Sequence, residues 1–105
     1  MATSFEDFKG KVILHAQATA QEGQVERFQV LGRAIQEYIA AGNEPGCLTF
    51  RISRSGNHFL FFEEYANAEA VKVHYESAPF QAFFAEVKAG TLTVGPPTTA
   101  FYEEI

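Results

Sequence analysis

Glu63, Tyr65 and His74 stand together in the stretch FFEEYANAEAVKVH, residues 61–74. A carboxylate, a phenol and an imidazole are the groups a site needs in order to move protons. Glu63 and Tyr65 are two positions apart, so on a strand they share a face. His74 is far enough along to sit on the next element. An imidazole titrates near neutrality, which suits a base that takes a proton from a phenol or an activated C–H. If the face of Glu63 is a pocket, its carboxylate is partly desolvated and its pKa rises. It could then hold His74 in one tautomer or act as the base itself. The Tyr65 hydroxyl could bond a substrate oxygen while its ring stacks on an aromatic ligand. Each residue also has a plainer reading. His74 can be a satisfied helix residue, Tyr65 can be core, and Glu63 can pair with a backbone amide, Arg51 or Arg54.

The remaining polar candidates are few. His15 lies in an apolar, alternating run and could line the pocket or the opposite sheet face. His58 sits beside a turn, where exposure is expected. Cys47 is the lone cysteine, which excludes an internal disulfide and a thiolate-built metal site. It reads as a small packed hydrophobe. No His-x-x-x-His or comparable cluster suggests a metal, and no glycine-rich phosphate cradle suggests a nucleotide cofactor. The expectation is therefore a site without metal or cofactor.

At 105 residues the chain has the length of one domain, 1–105, with a single core. Its 47% hydrophobic content excludes a disordered chain, and 11 phenylalanines exceed what a minimal core needs. The surplus points to a pocket or a partner subunit. The net charge of −5, with basic residues scattered, argues against nucleic acid and against an anionic membrane. The start MATSFEDFKGKVILHAQ lacks the form of a signal peptide, and FLFF (59–62) is too short to span a bilayer. A cytoplasmic location is expected.

These side chains need a scaffold, and hydrophobic period supplies one. Residues 11–20 alternate as a strand, with Val12, Leu14, Ala16 and Ala18 on one face and Ile13, His15 and Gln17 on the other. From Gly23 to about Ala41 the period becomes helical through Val25, Phe28, Leu31, Ile35, Tyr38 and Ile39. Gly42-Asn43 and Pro45-Gly46 stop that helix and turn the chain. CLTFRISR (47–54), with Leu48, Phe50 and Ile52 on one face, and HFLFFEEY (58–65) flank a short turn and read as a hairpin. Asn67 can cap a short helix to about Tyr75, and Ser77 a second one ending at Gly90. TTAFYEEI (98–105) is a final strand.

The order β-α-β-β-α-β, with its second helix broken in two, is the ferredoxin-like α+β arrangement. Helices cover one face of such a sheet. Here the strands are apolar on both, with Phe59 and Phe61 on one face and Leu60 and Phe62 on the other. A homodimer with facing sheets is the economical cover.

EPGCLTFRISR and FLFFEEYANAEAVKVHYESAPFQAFF resemble the antibiotic biosynthesis monooxygenase domain. Its members carry a Glu-x-Gly-Cys-like turn, a strand ending Phe-Glu-x-Trp, and a helix ending in His before x-x-Ser/Thr-Pro-His-Phe. The matching residues here are Glu44 to Cys47, Phe62 to Tyr65, and His74 to Phe80. The spacing of Glu63, Tyr65, His74 and Phe80 carries the likeness most strongly. Tyr65 replaces the frequent Trp, and Pro79 precedes Phe80 with no intervening His. The resemblance implies a dimeric α+β barrel whose pocket lies between helices and sheet. It implies as activities a cofactor-free oxidation of quinols or anthrone-like compounds, haem degradation, or isomerisation of a sugar phosphate. Haem degradation in such proteins depends on Asn, Trp and His together, and this chain has no Trp and no Asn in its first strand.

The reading that follows is a cofactor-independent monooxygenase for a small aromatic hydroquinone or anthrone. His74 or Glu63 would be the base, with Tyr65 beside them. His15, Phe59, Phe61, Phe80, Phe83 and Phe84 would form the walls. The alternatives are an isomerase of a small carbonyl compound and a non-catalytic dimer that binds an apolar metabolite.

Overall fold

The computed structural model describes residues 4–105. The expected domain of 1–105 therefore has its first three residues outside the described part. The elements follow the expected order: β1 Val12–Thr19, α1 Val25–Tyr38, β2 Cys47–Ser55, β3 His58–Tyr65, α2 Ala68–Glu76, α3 Ala78–Ala89 and β4 Thr98–Glu103. The sheet is antiparallel with order β2-β3-β1-β4, which is the ferredoxin-like topology.

Local chemistry sets the boundaries. The Asn67 side chain accepts from the Ala70 amide and starts α2. Ser77 ends α2 in an extended conformation and caps α3 through the Phe80 amide, with Pro79 in the first turn, where a missing N–H does no harm. Gly90 ends α3 at φ 82°, a left-handed conformation that glycine adopts freely. Helix α1 stops slightly earlier than its apolar period suggested. A wider turn, Ile39–Asn43, follows, and Gly42 reverses the chain at φ 89°.

Strand alternation decides which side chains meet the helices. Phe59, Phe61, Glu63 and Tyr65 of β3 are all buried beneath them, as are Val12, Leu14 and Ala18 of β1. One core cluster joins Phe28, Leu31 and Ile35 of α1 to Phe59, Phe61, Phe83 and Leu92. Phe28 stacks on Phe59 at 4.0 Å between centroids. A second cluster joins Phe5, Val12, Leu14, Tyr65, Val71 and Phe101. Glu63 stands on β3 between Phe61 of the first cluster and Tyr65 of the second, so the fold places a carboxyl at the seam of two cores.

The hairpin differs from expectation in one respect. The register shifts between Cys47 and Thr49, which takes Leu48 out of the alternating pattern and leaves it 47% exposed. Phe50 and Ile52 keep the helix-facing side by pairing with Glu63 and Phe61. The other face of the sheet carries Ile13, His15, Leu60, Phe62 and Tyr102, and no element among the described residues covers it. Leu60 and Tyr102 are 40% and 42% exposed there. No helix among the described residues is long and apolar enough to cross a membrane.

Candidate active site

Three elements converge on His74. Helix α2 carries it near its C-terminal end, strand β3 brings Glu63 and Tyr65, and the turn before β2 brings Glu44. His74 Nδ1 lies 3.0 Å from Glu44 Oε1, and Nε2 lies 3.6 Å from Glu63 Oε1. The Tyr65 hydroxyl donates to that same Glu63 oxygen at 2.5 Å. Aromatic rings of Phe50, Tyr65, Tyr75 and Phe80 surround the imidazole. His74 is 1% exposed and Glu63 4%, so both titratable groups are almost out of water.

That burial dominates their proton affinities. Glu63 is pushed up to about 8, chiefly by desolvation and further by the Glu44 charge, against the opposing hydrogen bond from Tyr65. His74 is lowered to about 4 by desolvation and is a neutral imidazole at physiological pH. Burial also raises Glu44. Tyr65 is driven far above the ordinary phenol range by burial and by Glu63, so it serves as a donor and not as a base. Burial and the same carboxyls push the Cys47 thiol up to about 12, which makes it an inert packed group.

An open cavity of about 1280 Å³ lies in front of this cluster, between the sheet and α2, α3 and the 90–97 loop. Glu63 and His74 lie on its lining with Phe61, Phe80, Phe83 and Phe84. Phe80 and Phe84 stack nearly parallel, 13° apart, and Lys88 Nζ lies 5.6 Å from the Phe84 ring centroid. The cavity thus has largely apolar, aromatic walls and one corner of titratable groups.

Two expected wall residues lie elsewhere. His15 faces the opposite side of the sheet, where its ring meets Phe62 and Tyr102. Alternation allowed either face for the run, and the partners Leu14 and Ala16 took the cavity side. Phe59 is on the correct face, but it stacks on Phe28 inside the core and does not reach the cavity. Tyr65 contributes through Glu63 and does not line the cavity itself. Arg51 and Arg54 are exposed and pair with neither buried carboxyl, Arg54 instead donating to Gln29.

Glu44 entered from the sequence only as the first residue of the Glu-x-Gly-Cys-like turn, with no role in the site, because a carboxylate beside Pro-Gly normally reads as solvated. Its side chain is only 1% exposed. The signal was Gly46. A Cβ there would meet Ala70 Cβ at 2.6 Å, so the turn lies directly against α2. Ala70 and His74 are one helical turn apart on the same face, and the docking that needs Gly46 at Ala70 also brings Glu44 to His74. The Gly46 carbonyl accepts from Ala66 N at 2.8 Å and ties the turn to the end of β3. Gly46→Ala is therefore expected to destabilise the fold by about 1–3 kcal/mol, checked by urea unfolding with an unchanged m-value.

The fold is a small α+β domain with a largely apolar cavity that has a buried carboxyl–imidazole pair in its lining. The chain belongs to the antibiotic biosynthesis monooxygenase family, whose model matches residues 11–86. A Caulobacter crescentus protein described as a candidate antibiotic biosynthesis monooxygenase is similar at 26% identity and TM-score 0.82, over 93% of this chain and 92% of that one. A Nitrosomonas europaea structure given the same description superposes with TM-score 0.78 at 22% identity, covering 93% and 94% of the two chains. The Mycobacterium tuberculosis protein Rv0793 does so with TM-score 0.78 at 21% identity, over 90% and 95%. No curated protein matches the chain.

Proposed function

We propose that the protein is a cofactor-independent monooxygenase that oxidises a small aromatic hydroquinone or anthrone with O₂. The observation that carries this reading is the cavity's composition: aromatic walls meet one corner where a carboxyl titrates near 8 beside a neutral imidazole. In that corner Glu63, backed by His74, takes a proton from the substrate's hydroxyl or methylene carbon. The anion gives one electron to O₂, and the radical pair recombines as a carbon-bound peroxide anion. That anion regains the proton, and loss of water leaves one oxygen atom on the carbon as a carbonyl. The anthrone CH₂ and O₂ thus become C=O and H₂O. The substrate supplies every electron, while the protein deprotonates, orients and excludes water.

Incubation with reduced naphthoquinols and anthrones under ¹⁸O₂ tests the reaction. One labelled oxygen in the product, formed above the rate without protein, is expected. Products that carry no label from O₂ would rule this chemistry out.

The near-complete burial of Glu63 and His74 favours one second reading, a dimer that binds an apolar metabolite without turnover. Such a protein would keep its ligand affinity after His74→Ala. A small sugar phosphate fits less well, because among the described residues Lys88 is the only lysine or arginine on the cavity lining.

A second copy of the chain is the proposed cover for the outer sheet face, where Phe62 and Tyr102 pack on His15 and Leu60 is exposed. Sedimentation is expected to give twice the protomer mass, and Leu60→Glu is expected to give the monomer. A monomeric wild type would contradict this.

A further inference from the structure

Two carboxyls flank one imidazole, and the hydrogen-bonding capacity of a neutral imidazole constrains both. Such a ring has one N–H and one lone pair. A carboxyl facing the N–H must accept, and a carboxyl facing the lone pair must donate. Glu44 and Glu63 are on opposite ring nitrogens, so only one of them can face the ring's single N–H. The geometry separates them further. Glu44 makes the close contact at 3.0 Å, a length suited to N–H donation to a carboxylate. Glu63 stands at 3.6 Å and lines the cavity, whereas Glu44 does not.

We infer that Glu44 is a positioning residue. As a carboxylate behind the ring it holds the proton of His74 on Nδ1, which turns the Nε2 lone pair toward Glu63 and keeps Glu63 as the acid that faces the cavity.

The surrounding groups agree. Around the pair stand Cys47 of β2, Tyr65 of β3 and Tyr75 of α2, each raised in part by these carboxyls and each protonated at neutral pH. No lysine or arginine among the described residues forms an ion pair with Glu44 or Glu63. Among the described residues His74 Nδ1–H is thus the sole side-chain donor to Glu44, whose other oxygen, Oε2, is buried without a partner there. The upward push on Glu63 includes a contribution from the Glu44 charge. Glu63 would therefore release its proton to solvent only above neutrality, and the corner would change from acid to base across that range. The bearing on turnover rests on the monooxygenase reading, but the division of protons does not.

Two-bond ¹H–¹⁵N correlation spectra of the uniformly ¹⁵N-labelled full chain report the tautomer at neutral pH. The wild type is expected to show His74 protonated on Nδ1 and bare on Nε2. In Glu44→Gln the amide NH₂ can donate to Nδ1, so the proton is expected to move to Nε2. The Glu63 carboxyl, followed by ¹³C, should then titrate lower by about one unit. If turnover is present, the rise of kcat with pH should move to lower pH by the same amount, with KM unchanged. A wild-type His74 that is protonated on Nε2, or on both nitrogens, would overturn the inference without any variant. So would a Glu44→Gln protein with an unmoved tautomer and Glu63 titration. Absence of turnover would count against the monooxygenase reading alone, because the spectra decide the tautomer by themselves.

Discussion

Glu63→Gln is expected to lower turnover by about 10²–10⁴-fold, the usual contribution of a positioned base. Glutamine keeps the length and shape of the side chain, and its carbonyl can still accept the hydrogen bond from Tyr65. It cannot take a proton. Because the cavity walls are untouched, KM should change little, so the loss should appear in kcat. In the wild type, kcat should climb with pH through about 8 as Glu63 ionises, and the variant should lose that rise. Steady-state oxygen consumption across pH 6–9 measures both. A variant that retains full kcat would leave Glu63 as a structural carboxyl.

The second large effect is on stability. Glu63 holds its proton in the folded protein up to about 8, against 4.5 for the free side chain. The folded state binds the extra proton between those values, so the stability this contributes is lost as pH rises toward 8. His74 acts in the opposite sense. Its folded pKa of about 4 lies below the reference 6.5, so its contribution is lost as pH falls from 6.5 toward 4. The two oppose each other between about 4.5 and 6.5, and above that only Glu63 of the pair still titrates. Stability is expected to fall by about 1–2 kcal/mol from pH 6.5 to 8, or roughly 5–10 °C in Tm for a domain of this size. Calorimetry in a pH series checks the sign. Glu63→Gln should flatten that limb, and a wild-type Tm that rises from pH 6.5 to 8 would contradict the assigned proton.

Much of the scaffold was legible because period and capping chemistry are local. Asn67, Ser77 and Gly90 marked real helix boundaries, and strict alternation placed Phe59, Phe61, Glu63 and Tyr65 on one buried face. Glu63 and His74 meet because a strand end and the following helix are close in sequence. What sequence could not give was long-range. The contact between Glu44 and His74 depends on the turn pressing against α2 at Gly46, and a glycine after a proline does not by itself show which element it packs against. Alternation assigned His15 to a face but could not say which face was inner. Phe59 could not be separated from Phe61 by pattern, because its loss to the core is set by where Phe28 of α1 lands. The bulge at Leu48 likewise has no marker in CLTFRISR.

Oxygen uptake by the metal-free protein, with reduced naphthoquinols and anthrones and with His74→Ala beside the wild type, tests the central claim most directly. Uptake above autoxidation by the wild type, with a hydroxylated or quinone product and a loss of about 10²–10⁴-fold in the variant, is the expected result. Equal uptake by both proteins at the autoxidation rate, while a quinol still binds each with the same affinity, would contradict it and leave the cavity as a binding site.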